Sequence, residues 1–343
     1  MQREIHGGNV YGREVRLDFS VNINPLGMPQ GVRQAITEYT AWDETYPDIE
    51  CTDLRRAIAQ KEGIAPEQIL CGNGASELLM AVVRAAAPEK CAIAAPSFSG
   101  YERAVRAAGA EPVFGYETVC DRLSKMTVQM LFLCNPNNPT GNTIPEQILT
   151  EILQFCASKK IRVVADECFL RFHPHYEKMS CKRFLKQYPN LLIVNAFTKF
   201  YAMAGLRLGY LMTGDLSLLH AVAQQLPEWN VSSIAQRAGI SALQDTEYEK
   251  RTRQLIEKER RYLIQEFLKM GCTVFPSEAD YITFRLPQEK TGFLLKERLL
   301  EGKILIRSCA NYRNMPPDCY RIAVKQHADN EELVRQVWRI LIQ

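Results

Sequence analysis

The chain has almost no charge bias: 42 basic and 39 acidic residues in 343 leave a net charge of +3. No basic run stands out, which argues against a nucleic-acid partner while leaving room for a small anionic substrate in a local basic pocket. No apolar stretch approaches the ~20 residues that a membrane span needs. The start, Met-Gln-Arg-Glu-Ile-His-Gly-Gly, has no apolar signal core. No Cys-x-x-Cys occurs, and the 11 cysteines are scattered singly. Several lie inside apolar runs such as Val128–Cys134, which reads as reduced, mostly buried thiols of a cytoplasmic protein. There is no internal repeat and no low-complexity segment. His173-Pro-His175 lacks a neighbouring cluster of cysteines or carboxylates, so it is read as exposed and no metal is assigned.

What is present is apolar material, 46% of the chain, enough for a packed interior. The length favours two lobes. Apolar strand-like runs at Cys91–Ala95, Val128–Cys134, Ile161–Ala165, Leu191–Asn195 and Leu208–Thr213 alternate with helical ones near Gly100–Ala108 and Pro145–Lys159. Continuous apolar strands separated by helices imply an α/β fold with a mostly parallel central sheet sandwiched by helices. After Asp215 the texture changes. A long charged helix at Glu247–Met270 precedes short strands at Tyr281–Leu286, Lys303–Arg307 and Tyr320–Val324, the pattern of a smaller α+β domain. The expected division is an arm at 1–28 that joins the small domain, a large domain at 29–225 and a small domain at 226–343.

The chemistry centres on Lys199. It follows Thr198, and Arg207 comes eight positions later, before a small-residue turn. That is the layout of a lysine joined covalently to pyridoxal phosphate, with Thr198 and Arg207 on the phosphate. Such a site needs a buried carboxylate beside the pyridine nitrogen to keep its proton there. Asp166 closes the strand Ile161–Ala165 and lies 33 residues before Lys199. Cys71-Gly-Asn-Gly-Ala-Ser76 is a glycine loop opening a helical run, so the N–H groups of Ala75 and Ser76 would face an anion. Asn138, in Asn135-Pro-Asn-Asn-Pro-Thr-Gly141, can donate to the cofactor's phenolic oxygen, and its bond to Pro139 is a candidate cis peptide. Phe98 is placed to stack on the ring or to serve as a core aromatic. Arg307 and Arg321 each interrupt an apolar strand, which is costly unless they face a cleft or an anion. Two such arginines suggest a substrate with two anionic groups. A structural salt bridge is the other reading, and for Arg307 it stands level.

On Tyr46-Pro-Asp48, Gly72-Asn-Gly74, Asn135–Gly141, Asp166-Glu167, Thr198-Lys199 and Gly205–Tyr210, the chain resembles the fold-type-I pyridoxal-phosphate enzymes of the aspartate-aminotransferase superfamily. The resemblance runs over nearly its whole length. Within them it is similar to the branch that holds histidinol-phosphate aminotransferases and threonine-phosphate decarboxylases. His6-Gly-Gly8, Asp18–Gly27, Trp229–Gln236 and Ile306–Cys309 resemble the decarboxylase side. The resemblance implies a homodimer in which Tyr46 reaches the cofactor of a second subunit. It implies Arg321 on the substrate carboxylate, with His6, Asn24 and Arg307 around the rest of the substrate, including its phosphate. The chain departs from the aminotransferase pattern at Phe169, where a tyrosine is usual, and at Ala196, where another phosphate-binding hydroxyl is often found.

The implied activity is decarboxylation of L-threonine O-3-phosphate to (R)-1-amino-2-propanol O-2-phosphate, for the side arm of cobalamin. The alternatives are transamination of histidinol phosphate and decarboxylation of O-phosphoserine. The latter substrate differs by one methyl group, worth only ~1–3 kcal/mol in a pocket. A non-catalytic sensor of the cofactor would carry a fused DNA-binding module, and no segment reads as one. A decarboxylase must hold the carboxylate out of the plane of the cofactor ring, whereas an aminotransferase exposes the Cα–H instead. The same arginines can serve either geometry.

Overall fold

The computed structural model describes residues 7–8, 10–39, 44–115, 127–290, 292 and 294–342. Its first strand, β1 (Leu17–Asp18), pairs with residues far down the chain. Next come β2 (Ile69–Gly72), β3 (Lys90–Ala94), β4 (Glu111–Gly115), β5 (Met130–Cys134), β6 (Arg162–Asp166), β7 (Leu191–Ala196) and β8 (Gly209–Thr213). These seven form one sheet in the order β2-β8-β7-β6-β5-β3-β4. From β4 to β7 every neighbouring pair is parallel. Strand β8 runs antiparallel to both β7 and β2. The reason is its connection: Phe197–Leu208 contains only short helical turns, not the full crossover helix a parallel return needs.

Side chains alternate across this sheet, so both faces are apolar. Along β5, Leu131 and Leu133 belong to one buried cluster, while Met130, Phe132 and Cys134 belong to the other. Ile193 and Val194 divide the same way on β7. The helix Ala75–Ala86 covers one face with Leu78, Leu79, Val82 and Val83. The helix Glu146–Ser158 covers the other with Leu149, Ile152 and Leu153.

The C-terminal part begins with the helix Thr246–Lys269, whose start is capped by Asp245 accepting the Tyr248 N–H at 2.8 Å. It then supplies β9 (Thr273–Val274), β10 (Tyr281–Arg285), β11 (Ile304–Leu305), β12 (Arg307–Ser308) and β13 (Cys319–Ala323). An antiparallel sheet has the order β12-β13-β10-β9, and β1 pairs in parallel with β11. The single strand read at Lys303–Arg307 is therefore two, each with a different partner.

The register positions the site. Cys134 lies opposite Asp166, and Asp166 opposite Val194. The carboxyl ends of β5, β6 and β7 thus deliver the Asn135–Gly141 loop, Asp166 and Lys199 side by side, at the edge where open α/β sheets bind ligands. Gly209 of β8 lies opposite both Ala196 and Gly72, which brings the glycine loop alongside.

Candidate active site

A cavity of about 470 Å³ opens at that edge. Ten of the residues singled out from sequence line it: Lys199, Asp166, Asn138, Thr198, Arg207, Ala75, Ser76, Phe98, Arg307 and Arg321.

One end is built for an anion. Ala75 and Ser76 open a 12-residue helix, so their N–H groups lack intrahelical partners. Gly74 precedes them at φ 79, ψ 162, a conformation essentially reserved for glycine. A Cβ there would sit 2.6 Å from Arg207 Nη2, so the guanidinium brings its Nη2 end close against the loop. A Cβ on Gly209 would meet the Ala75 nitrogen at 2.7 Å. Thr198 is buried beside them.

The opposite wall is a hydrogen-bonded set. Asp166 Oδ2 accepts from Tyr101 Oη at 2.7 Å, and Oδ1 accepts from the Cys168 N–H at 3.0 Å. Asn138 Oδ1 accepts from Arg321 Nη1 and from Tyr312 Oη, the latter at 3.1 Å, which leaves its amide nitrogen as the donor end. The Asn138–Pro139 bond is cis. Arg321 Nη2 donates to the Ser20 carbonyl at 3.0 Å, and its Nε is buried with no partner. Arg307 Nη2 donates to Asn311 Oδ1 at 2.7 Å. Arg307 and Arg321 are directly opposed on β12 and β13. Like charges so placed repel, and bound anions relieve that.

Burial lowers the affinity of Lys199 for its proton, and Arg321 and Arg207 push the same way, while Asp280 and Cys168 oppose them. A lysine so shifted is more readily a free amine, the form that attacks a carbonyl.

Two of the named residues, Asn24 and Tyr46, do not line this chain's cavity, and for Tyr46 the resemblance implied as much. Asn24 is buried but does not line the cavity: its amide nitrogen donates to the Phe200 carbonyl (2.7 Å) and Thr252 Oγ1 (2.8 Å), and its oxygen accepts from the Leu26 N–H. Asn22, two residues earlier, lines the cavity instead, with a buried and unpartnered Oδ1. Tyr46 is 76% exposed, stacks on Trp229 at 4.6 Å and does not line the cavity of its own chain. His6 lies outside the described residues, although Gly7 beside it reaches the cavity. His173 is buried rather than exposed, with Nε2 3.7 Å from Glu278. Among the described residues no group of three potential ligands could hold a metal. Nor is any helix long and apolar enough to cross a membrane. Tyr101, Tyr312 and Asn22 were not found from sequence, because their contacts come from remote segments.

The donor set fits pyridoxal phosphate. The glycine cradle with Arg207 suits a phosphate, and a buried carboxylate and a buried lysine line the same cavity, the types that a pyridine nitrogen and an aldehyde would call for. Fold and site together define a fold-type-I enzyme dependent on pyridoxal phosphate. The chain belongs to the family described as aminotransferase class I and II, whose pattern matches residues 14–337. It is 34% identical to a threonine-phosphate decarboxylase of Salmonella typhimurium, covering 98% of this chain and 96% of that one. It is 32% identical to a histidinol-phosphate aminotransferase of Anaeromyxobacter, covering 96% and 92%. Among solved structures, the histidinol-phosphate aminotransferase of Clostridium acetobutylicum superposes with a TM-score of 0.88 at 32% identity, covering 95% of this chain and 99% of that one.

Proposed function

We propose that the chain decarboxylates L-threonine O-3-phosphate, giving (R)-1-amino-2-propanol O-2-phosphate and carbon dioxide for the side arm of cobalamin. The observation that carries this reading is the opposed pair Arg307 and Arg321 in one cavity with Lys199. A phosphorylated amino acid brings a carboxylate and a phosphate, one for each guanidinium. The decarboxylase likeness described above supports it.

The residues take these roles in the proposal. When bound, pyridoxal phosphate supplies a ring that draws electrons from the substrate's Cα. Lys199 holds it and moves a proton at Cα. Asp166, fixed by Tyr101, holds the proton on the ring nitrogen, and Asn138 donates to the phenolic oxygen. Thr198, Arg207, Ala75 and Ser76 hold its phosphate, and Phe98 packs on its ring. Arg321 takes the substrate carboxylate, and Arg307, with His6, takes the substrate phosphate. Anchoring both ends fixes rotation about Cα. Tyr46, exposed and outside the lining of this cavity, serves that of a second copy in a homodimer. The lobes divide near residues 28 and 225.

Transamination of histidinol phosphate is the second reading, favoured by the structural likeness to that enzyme. Histidinol phosphate has no carboxylate, but two arginines also suit 2-oxoglutarate, so the acceptor decides. The test is incubation with phosphothreonine, phosphoserine and histidinol phosphate, with and without 2-oxoglutarate. Carbon dioxide and aminopropanol phosphate from phosphothreonine alone, without acceptor, support the proposal. Product formed only with 2-oxoglutarate overturns it.

A further inference from the structure

The cavity that holds Lys199 shares a wall with a second one of about 380 Å³, and three residues line both: Phe98, Arg307 and Tyr312. Arg321 and Asn138 line the first cavity and not the second. The second is polar, with Ser97, Ser99, Asn311 and Arg313 in its wall. The two opposed arginines thus differ in surroundings. Arg321 opens onto the Lys199 cavity alone, whereas Arg307 borders both spaces. Tyr312 contacts each of them.

Tyr312 belongs to the segment between β12 and β13, which its own backbone closes. The Tyr312 N–H donates to the Cys309 carbonyl at 2.9 Å, and the Met315 N–H donates to the Tyr312 carbonyl at 3.1 Å. The next residue pins the segment from outside: the Arg313 guanidinium lies 3.8 Å from the centre of the Phe114 ring and 3.6 Å from Glu102. Tyr312 Oη donates to Asn138 Oδ1 at 3.1 Å and accepts from Arg321 Nη1 at 3.3 Å. Arg321 Nη1 also donates to Asn138 Oδ1, so the three groups form a closed triangle. The ring of the same side chain serves Arg307, whose guanidinium carbon stands 5.4 Å from the ring centre.

We propose that Tyr312 is a positioning residue that sorts the two anionic ends of the substrate. The proposal deepens the reading above and rests on it. The hydroxyl acts through Arg321. With Nη1 committed to Tyr312 and Asn138, and Nη2 to the Ser20 carbonyl, the guanidinium is fixed in orientation while Nε is left without a partner. A donor set held in this way meets a carboxylate without first having to be ordered, which favours binding. The ring acts through Arg307. Its cation–π contact holds that guanidinium at the boundary of the polar second cavity, where a tetrahedral phosphate has room. Exchanging the two ends would turn the substrate about Cα and misalign the bond that must break. One side chain, through a hydroxyl and a ring face, gives the two arginines unlike tasks.

The test uses the full chain reconstituted with pyridoxal phosphate, so that the cofactor's own phosphate site is filled. Two probes carry one anion each, carbon-13-labelled propionate and ethyl phosphate, and their binding is read by NMR titration. Tyr312→Phe removes the hydroxyl and keeps the ring. It is expected to weaken propionate by about threefold to tenfold, the loss of one hydrogen bond, and to leave ethyl phosphate within about twofold. Tyr312→Leu removes the ring as well and is expected to weaken ethyl phosphate by about threefold. Propionate bound equally or more tightly by Tyr312→Phe, or both probes weakened alike, overturns the proposal. So does ethyl phosphate bound by Tyr312→Leu as tightly as by the unaltered chain. Arg321→Gln tests the underlying reading separately. It should lose propionate, and if it does not, the assignment of Arg321 to the carboxylate fails whatever Tyr312 does. No turnover is measured, so failure of the decarboxylase activity leaves this test readable.

Discussion

Gly74→Ala probes the phosphate cradle, and its effect can be worked from two features. The backbone stands at φ 79, ψ 162, where a residue with a Cβ incurs about 1–3 kcal/mol of strain. The new methyl would also stand 2.6 Å from Arg207 Nη2, so the guanidinium must swing away from the loop. A hydrogen bond to a charged group contributes about 1.5–3 kcal/mol. Losing it predicts roughly tenfold to hundredfold weaker pyridoxal phosphate binding. Absorbance titration of the cofactor gives the affinity, and thermal melting of the cofactor-free protein gives the strain separately. Gly205→Ala is the control, because nothing lies within 4 Å of a Cβ there. If Gly74→Ala binds the cofactor within twofold of the unaltered chain, the cradle is not the phosphate site.

In the interior, Arg171 pairs with Glu62 and also reaches Glu249 (3.5 Å) and Tyr210 Oη (3.2 Å). Arg171→Met leaves buried carboxylates short of a partner and should cost about 3–5 kcal/mol. For a chain of 343 residues that is a fall of roughly 4–7 °C in melting temperature, read by calorimetry. Burial works against the ionised form of Glu62, but Arg171 and Lys182 outweigh it and hold the carboxyl at about 2, below the ordinary 4.5. Its stabilisation is therefore present above pH 4.5 and lost as pH falls toward 2, about 3 kcal/mol in all. Urea titrations of Glu62→Gln should show that acid limb flattened. Mixing Tyr46→Ala with Lys199→Ala should restore about a quarter of the unaltered activity through hybrid dimers with one intact site; if no activity returns, Tyr46 does not serve a second copy.

What the sequence revealed was local. Lys199, Asp166 and Asn138 are legible because each sits at the end of a continuous apolar strand, and strand ends on one edge of a parallel sheet meet. Gly74 and Arg207 are legible for the same reason, since short strings fix their turns. The misreadings are all long-range. Asn22 and Asn24 are two apart in an extended stretch, and only contacts with Phe200 and Thr252 decide which one leaves the cavity. Residues 304–308 split because Ile304 pairs with Leu17 and Arg307 with Arg321. Strand β2 is four residues long and was hidden within the glycine loop. Tyr101 reaches Asp166 only through folding, so no nearby sequence pattern marks it.

The central claim is that the Lys199 amine is where pyridoxal phosphate attaches. Reconstitution followed by borohydride reduction and peptide mass spectrometry tests it directly. The account predicts the reduced cofactor's mass on the peptide containing Lys199 and on no other. A tag on a different lysine, or none on a folded protein, would contradict it.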